Sequence, residues 1–333
     1  MRHAPVFRTP IRRAACLVAG LACAWMAQAQ VLPKSGDFPS QPIRLVSPFP
    51  PGGGNDYHMR LVSNELAAVT GQPAVAENKG GAGGNIGAKY VADGKADGYT
   101  VLVSQVSTMA VNPSLYRTTG FDPLKNFVPV TQINAAPLAI VVAANSPLKT
   151  IDDLRRQAHA ERLTYATPGN GTLSHLLGVV LEKDAGIALT HVPYRGAGPA
   201  LADLMGGQVA IMITSTSSVA GHIQQGMVRA LAVTSPRRVG IFKNVPTLEE
   251  QGMKNMNYED WYGFFVPAGT PPERVAYLHG AITKVLKSPA VEKKIQDAGG
   301  ELVAGTSEAL AAQLRRDIER WSRVVKLSGA SVD

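Results

Sequence analysis

Cysteine is almost missing from this chain of 333 residues, and both copies, Cys16 and Cys23, fall in its first 30 positions. That stretch has the form of a cleavable leader, so the chain beyond it has neither a disulfide nor a thiol nucleophile. Its stability must come from buried apolar surface. Charge is also scarce: 17% of residues are Asp, Glu, Lys or Arg, and no basic stripe is interleaved with aromatics. Nucleic-acid binding therefore has no electrostatic footprint here. Beyond the leader no apolar run reaches the roughly 20 residues that a spanning helix requires.

Enzyme signatures are absent too. There is no G-x-S-x-G elbow, no lysine after a glycine loop and no H-E-x-x-H or close His/Asp cluster. Gly81-Ala82-Gly83 is followed by Ile86 where the dinucleotide fingerprint needs its third glycine. Ser174 and His175 are adjacent, which does not aim a hydroxyl at an imidazole. No catalytic residue, metal or cofactor is predicted. A hydrolase or isomerase built on Ser174, His175 or Asp56 from distant segments stays open as an alternative of another class.

What is present begins with the leader. Arg2, Arg8, Arg12 and Arg13 precede an apolar stretch from Ala14 to Ala24, and Ala27-Gln28-Ala29 is an A-x-A cleavage site. The expectation is a signal peptide over 1–29, cut after Ala29. Lipidation at Cys23 is the weaker reading, because Gly20 stands where a large aliphatic residue belongs. Losing four arginines and no acid lowers the formal net charge from +8 to +4. That excess is weak support for an anionic ligand.

The roughly 300 remaining residues suit two domains of ordinary size. From residue 43 short apolar strands alternate with helices, the mark of mostly parallel sheets covered by helices. Strands are predicted at 43–46, 74–77, 99–103, 163–166, 190–193, 209–213 and 229–233. Helices are predicted at 56–69, 86–92, 150–160, 172–184, 198–205 and 217–225, with two more near the C-terminus. Segments 127–143 and 258–267 are apolar, extended and punctuated by Pro129, Pro137 and Pro267. They read as two crossing strands that bracket a second lobe and leave a cleft able to close by hinge motion. The expected organisation is lobe 1 over 38–135 plus 260–333 and lobe 2 over 136–259; one continuous α/β domain would show the same alternation.

Four strand-to-helix junctions carry the chemistry. Pro48-Phe49-Pro50-Pro51-Gly52-Gly53-Gly54-Asn55-Asp56 can expose backbone N–H groups at a helix N-terminus, which holds a carboxylate without an arginine. The bland reading is a tight turn in which Asn55 or Asp56 caps the helix. Thr167–His175 and Val192–Pro199 are loops of the same kind, and Thr214–Ser218 is rich in hydroxyls. In open α/β sheets, ligands bind beyond the carboxyl ends of strands, where all four lie. Arg195 either clamps a carboxylate or pairs with a surface acid. His175 reads as a local hydrogen-bonding residue, and Trp261 and Tyr262 as hinge packing. The expected ligand contacts are Phe49, Pro50, Gly52, Gly53, Asn55, Asp56, Gln105, Ser107, Thr167, Gly169, Asn170, Gly171, Thr172, Arg195, Gly196 and Ser215, with Asp56 cast as an orienting residue.

At these junctions the chain resembles the Bug-type substrate-binding proteins of tripartite tricarboxylate transporters. The matching stretches include Gln41–Val46 into Pro48–Gly54, Glu77-Asn78-Lys79 with Gly81–Gly87, Asp97–Thr100, Asn112–Tyr116, Thr167–Thr172, His191–Ala200, Gly206–Val209, Arg229–Thr234 and Trp261-Tyr262-Gly263. The resemblance runs from about residue 38 to the C-terminus. It implies a periplasmic, two-lobed flytrap of the type II periplasmic-binding-protein fold. Such a protein holds a di- or tricarboxylate, acidic amino acid or aromatic acid largely through loop main chain, hydroxyls and waters. By the same resemblance the 49–55 and 167–174 loops grip the ligand from opposite lobes. Asn55 stands where a threonine is more usual, and Gln105 and the 214–218 run are atypical. The implied partners are membrane transporter subunits, or a sensor kinase if the protein serves sensing, with the protein itself a monomer.

Overall fold

The computed structural model describes residues 31–253 and 256–328, together with Met1 and Val332. The leader reading lies outside the described residues. Among the described residues ten strands form: β1 (Ile43–Ser47), β2 (Ala74–Asn78), β3 (Thr100–Gln105), β4 (Phe127–Ala143), β5 (Leu163–Thr167), β6 (Leu189–Pro193), β7 (Ile211–Ser215), β8 (Val228–Val233), β9 (Glu259–Pro267) and β10 (Glu301–Leu302). The α-helices are α1 (Gly54–Thr70), α2 (Asn85–Ala92), α3 (Asn112–Leu115), α4 (Ile151–Ala160), α5 (Leu173–Ala185), α6 (Ala197–Met205), α7 (Thr216–Gln224), α8 (Pro272–Leu286), α9 (Pro289–Asp297) and α10 (Ser307–Ser328).

The strand order β2-β1-β3-β9-β4-β7-β5-β6 turns on β4, whose 17 residues belong to two sheets in succession. Its first part, Phe127–Pro137, runs antiparallel to β9, and its second part, Leu138–Ala143, pairs with β7 and β8. On one side β2, β1 and β3 are parallel; on the other β6, β5 and β7 are parallel. A strand that changes sheets midway makes the fold α/β with two lobes, and β9 is the returning crossing strand. β-Bulges between Pro129 and Thr131 and between Gln132 and Asn134 break the ladder in the region where proline supplies no N–H.

Each sheet is covered on both faces. Leu45, Val101 and Phe264 pack with Met59, Val62 and Leu66 of α1 and Leu278 and Ile282 of α8. Val141, Ala166 and Met212 pack with Leu201 and Leu204 of α6 and Val219 of α7. The opposite faces share one apolar cluster that runs from Val46 and Leu102 through Met109 and Trp321 to Ile140 and Leu177. Trp321 of α10 is 2% exposed within it, so the C-terminal helix ties the two halves together. Trp261 of β9 adds a polar tie, its Nε1–H donating to Asp317 of α10 at 2.7 Å.

Local signals explain the helix ends. Thr150 and Asp153 make a reciprocal capping box at the start of α4. Pro272 occupies the first position of α8, where a missing N–H costs nothing, and Gly71 ends α1 in the left-handed conformation at φ +70°. Several elements differ from the sequence reading, the unanticipated α3 and β10 among them. The expected strand 209–213 sits two residues later, so Thr214 and Ser215 are strand residues and no loop intervenes before α7. A π-helical turn over Ser107–Val111 follows β3 directly. α9 was not anticipated, because only Val291 and Ile295 of its nine residues are buried.

Candidate functional site

The site is built where helices begin. α1 starts at Gly54 after an extended Gly53, with no side-chain cap. Its first backbone N–H groups are orphans by helix geometry and need acceptors. The N–H of Gly54 finds one across the cleft, donating to Ser218 Oγ of α7 at 2.9 Å. Gly54 also has no space for a Cβ, which would overlap the Tyr262 hydroxyl. Behind this turn Asp56 braces the loop: Oδ2 accepts from the Gly52 N–H at 3.1 Å, and Oδ1 accepts from Arg60 Nε and Asn78 Nδ2, each at 3.0 Å.

The opposing lobe mirrors the device. Thr172 caps α5 by accepting from the His175 N–H at 3.3 Å, while the Leu173 N–H donates to Ser107 Oγ of the first lobe at 3.0 Å. Gly171, at φ +73°, packs so closely on Leu115 that any side chain would collide. His175 Nδ1 accepts from the Gly171 N–H at 3.2 Å and stacks on His191, ring centroids 4.2 Å apart. Burial lowers the pKa of both rings, His191 to about 4 with help from neighbouring His175.

Between these junctions lies a cavity lined by first-turn residues of four helices: Gly54 and Asn55 of α1, Leu173 and Ser174 of α5, Ala197 of α6 and Ser218 of α7. Phe49, Gly53, Gln105, Ser107, Pro168, Thr172, Thr214, Ser215, Asp260 and Tyr262 complete its wall. It contains about 370 Å³ of void, of which about 20 Å³ is wide enough for the centre of a water molecule. The Gly54–Ser218 and Leu173–Ser107 hydrogen bonds span the two lobes and draw them together around it.

No Lys, Arg or His lines this cavity. Its positive potential comes from helix N-termini, each carrying a partial positive charge of about half a unit. Three buried side-chain atoms on its wall have no hydrogen-bond partner within the protein: Asn55 Oδ1, Thr214 Oγ1 and Asp260 Oδ1. Asn55 is fixed by its Nδ2, which donates to Gln105 Oε1. Asp260 is 3% exposed, and burial pushes its carboxyl up to about 7 against the downward pull of the Tyr262 hydroxyl and the Trp261 and Val106 N–H groups. The Tyr262 hydroxyl is raised well above its ordinary value, first by burial and then by Asp260.

Of the residues singled out in the sequence, Phe49, Gly53, Asn55, Gln105, Ser107, Thr172 and Ser215 line the cavity. Gly169, Asn170 and Arg195 instead line an outer recess, separated from the inner space by Phe49 and Pro168, which face both. Pro50 and Gly196 meet across the cleft mouth, and Gly52 approaches Gly198. Thr167 is turned to His191 Nε2, at 2.7 Å, and Gly171 to Leu115. Asp56 faces away from the cavity, in keeping with its bracing contacts. Asp260 was overlooked, and Tyr262, read as hinge packing, lines the cavity; the only signal was a polar residue at the head of an apolar strand. Ser174 reaches the wall, but His175 and Asp56 are committed elsewhere, so the three do not meet. Among the described residues no three His, Cys, Asp or Glu side chains gather to hold a metal, and no helix is long and apolar enough to cross a membrane.

Comparison with known proteins agrees with this architecture. The family model described as "Tripartite tricarboxylate transporter family receptor" matches residues 58–330. Protein BugT of Bordetella pertussis is 36% identical over 304 residues, 90% of this chain and 93% of BugT. The structure of the periplasmic binding protein BugD superposes with a TM-score of 0.84 at 32% identity, over 88% of this chain and 99% of that one. The R. palustris protein Rpa4515, solved with adipate, gives 0.85 at 32% identity over 89% and 99%. With matching motifs, matching topology and near-complete coverage, this chain belongs to the tripartite tricarboxylate transporter receptor family, in its Bug-type branch.

Proposed function

We propose that the protein captures a small organic carboxylate in the periplasm and presents it to membrane transporter subunits. The lobes that close on it are residues 38–135 with 260–333 and residues 136–259. The observation that carries this reading is the cavity wall: four helix N-termini and the unpartnered buried hydroxyl of Thr214, with no basic side chain. Such a wall holds an anion by oriented dipoles and neutral hydrogen bonds. The adipate bound to the R. palustris relative supports the ligand class. The leader pattern supports export, with Ala29 as the last residue removed. Capture without turnover accords with the separation of Ser174, His175 and Asp56. No feature of the structure favours a sensing role over transport.

Purified protein lacking residues 1–29 is expected to melt higher with a fitting acid. At a hundredfold excess over Kd the native state gains about 2.7 kcal/mol, roughly 5 °C for a protein of this size. A thermal-shift panel of dicarboxylates, amino acids and benzoates, with calorimetry on the hits, tests this, and a flat panel refutes it.

A further inference from the structure

We infer that Asp260 sets specificity at the floor of the cavity, selecting a ligand that pairs one carboxylate with a hydrogen-bond donor, ammonium or hydroxyl, at its other end. This rests on the carboxylate-capture reading above and narrows it. The placement comes from strand register. Asp260 lies opposite Ala136 on β4, and Ser215 lies opposite Leu138, so the two flank β4 from either side where it passes from one sheet to the other. Both line the cavity, Ser215 within reach of the Tyr262 hydroxyl, and Asp260 has a buried oxygen, Oδ1, without a protein partner. A carboxylate oxygen accepts hydrogen bonds and donates none. A guest that satisfies Oδ1 must therefore bring the donor itself, while a second carboxylate placed there meets a like charge.

The charged and titratable surroundings do not cancel this acid. On β9 its neighbours are the buried Tyr262 hydroxyl, which stays protonated, and Glu259, whose charged neighbours are Glu301 and Arg320. From α1, His58 packs on the Tyr262 ring at 4.5 Å and is held neutral by burial. The cavity walls from β3, β7, α5, α6 and α7 bring no ionisable group. The only positive potential in the cavity belongs to the helix N-termini, which suits one carboxylate. Asp260 is thus the single ionisable acid facing the guest, and burial holds its carboxyl at about 7, so it gains charge across the neutral range.

The test uses matched probes titrated by calorimetry: succinate against 4-hydroxybutyrate and 4-aminobutyrate, adipate against 6-aminohexanoate, and terephthalate against 4-hydroxybenzoate. Wild type and Asp260→Asn are compared at pH 6 and pH 8, each checked for an unchanged fold by melting and circular dichroism. In the wild type at pH 8 the donor-bearing member of the pair that fits is expected to bind at least tenfold tighter than its dicarboxylate. That margin should shrink at pH 6 and fall within threefold, without pH dependence, in Asp260→Asn. Equal binding of both members by wild type at pH 8, or the same preference and pH profile in the variant, overturns the assignment of Asp260 while leaving carboxylate capture intact. Absence of binding by every acid in both proteins overturns the capture reading and this inference with it. Should the asparagine variant fail to fold, Asp260→Ser is the second variant, and the wild-type preference between pH 6 and pH 8 decides the matter without either.

Discussion

Two serine hydroxyls hold the cleft shut, and their removal should open it by a calculable amount. Ser218 Oγ takes the Gly54 N–H at 2.9 Å and Ser107 Oγ takes the Leu173 N–H at 3.0 Å, each bond joining one lobe to a helix start on the other. In the closed form Ser218→Ala or Ser107→Ala leaves a buried N–H without an acceptor, at a cost of about 1–3 kcal/mol. In the open form water serves both groups. Taking the lower half of that range, about 1.4 kcal/mol, each substitution lowers the closed-to-open ratio tenfold, and the pair lowers it about a hundredfold. After removal of the leader the chain has no cysteine, so labels introduced at Glu65 in α1 and Gln224 in α7 report the interlobe distance directly. Ser63→Ala, whose hydroxyl donates to Arg60 O within α1, is the control. The ligand-free double variant should show a longer, broader distance distribution, and ligand affinity should weaken with it. An unchanged distribution in a correctly folded double variant would refute the latch.

Stability should fall in acid because of His58. Burial lowers its pKa from 6.5 to about 3, so below pH 6.5 the unfolded chain takes up a proton that the native state refuses. The stability present above pH 6.5 is lost progressively down to pH 3, by about 2 kcal/mol at pH 5. Urea titrations of wild type and His58→Gln at pH 7 and pH 5 should therefore differ most at pH 5 in the slope of the loss. Trp261→Phe removes the donor to Asp317, which is 5% exposed and keeps only Gln313 as a second donor. Its cost is expected at about 2–3 kcal/mol by denaturant midpoint, and Asp317→Asn in the same background should recover part of it. Gly171→Ala combines a positive φ with a collision at Leu115. It should therefore weaken ligand binding tenfold or more while leaving the open form folded, and near-wild-type affinity would mean that the lobes do not approach as described.

The α/β alternation was readable because it is local: a two-residue period with β-branched residues makes strands, and a 3.6-residue period makes helices. The crossing segments 127–143 and 259–267 were also readable, since proline within long apolar stretches leaves few alternatives to an extended, bulged path. Boundaries slipped where the sequence is ambiguous. Thr214 and Ser215 read as loop because they are polar, but pairing with β4 keeps them in strand β7. α9 escaped because a short, charged helix with two buried residues has almost no periodic signature.

The glycine-rich junctions declared by themselves that backbone would be exposed at helix starts. They did not declare which side chains would face inward. Asp56 and Asp260 are both acids beside apolar residues. Asp56 turns out to brace a loop through Gly52, Arg60 and Asn78, whereas Asp260 reaches the cavity floor. The difference is set by pairing across sheets and by contacts between residues 66 and 164 positions apart, such as those of Ser107 and Ser218. Local pattern carries no information about such distances. The sequence by itself determined most of the elements, their order and the glycine-rich helix starts. Only the closing of two lobes around β4 decided which atoms meet there, because side-chain direction at a junction depends on register with strands that arrive from elsewhere in the chain.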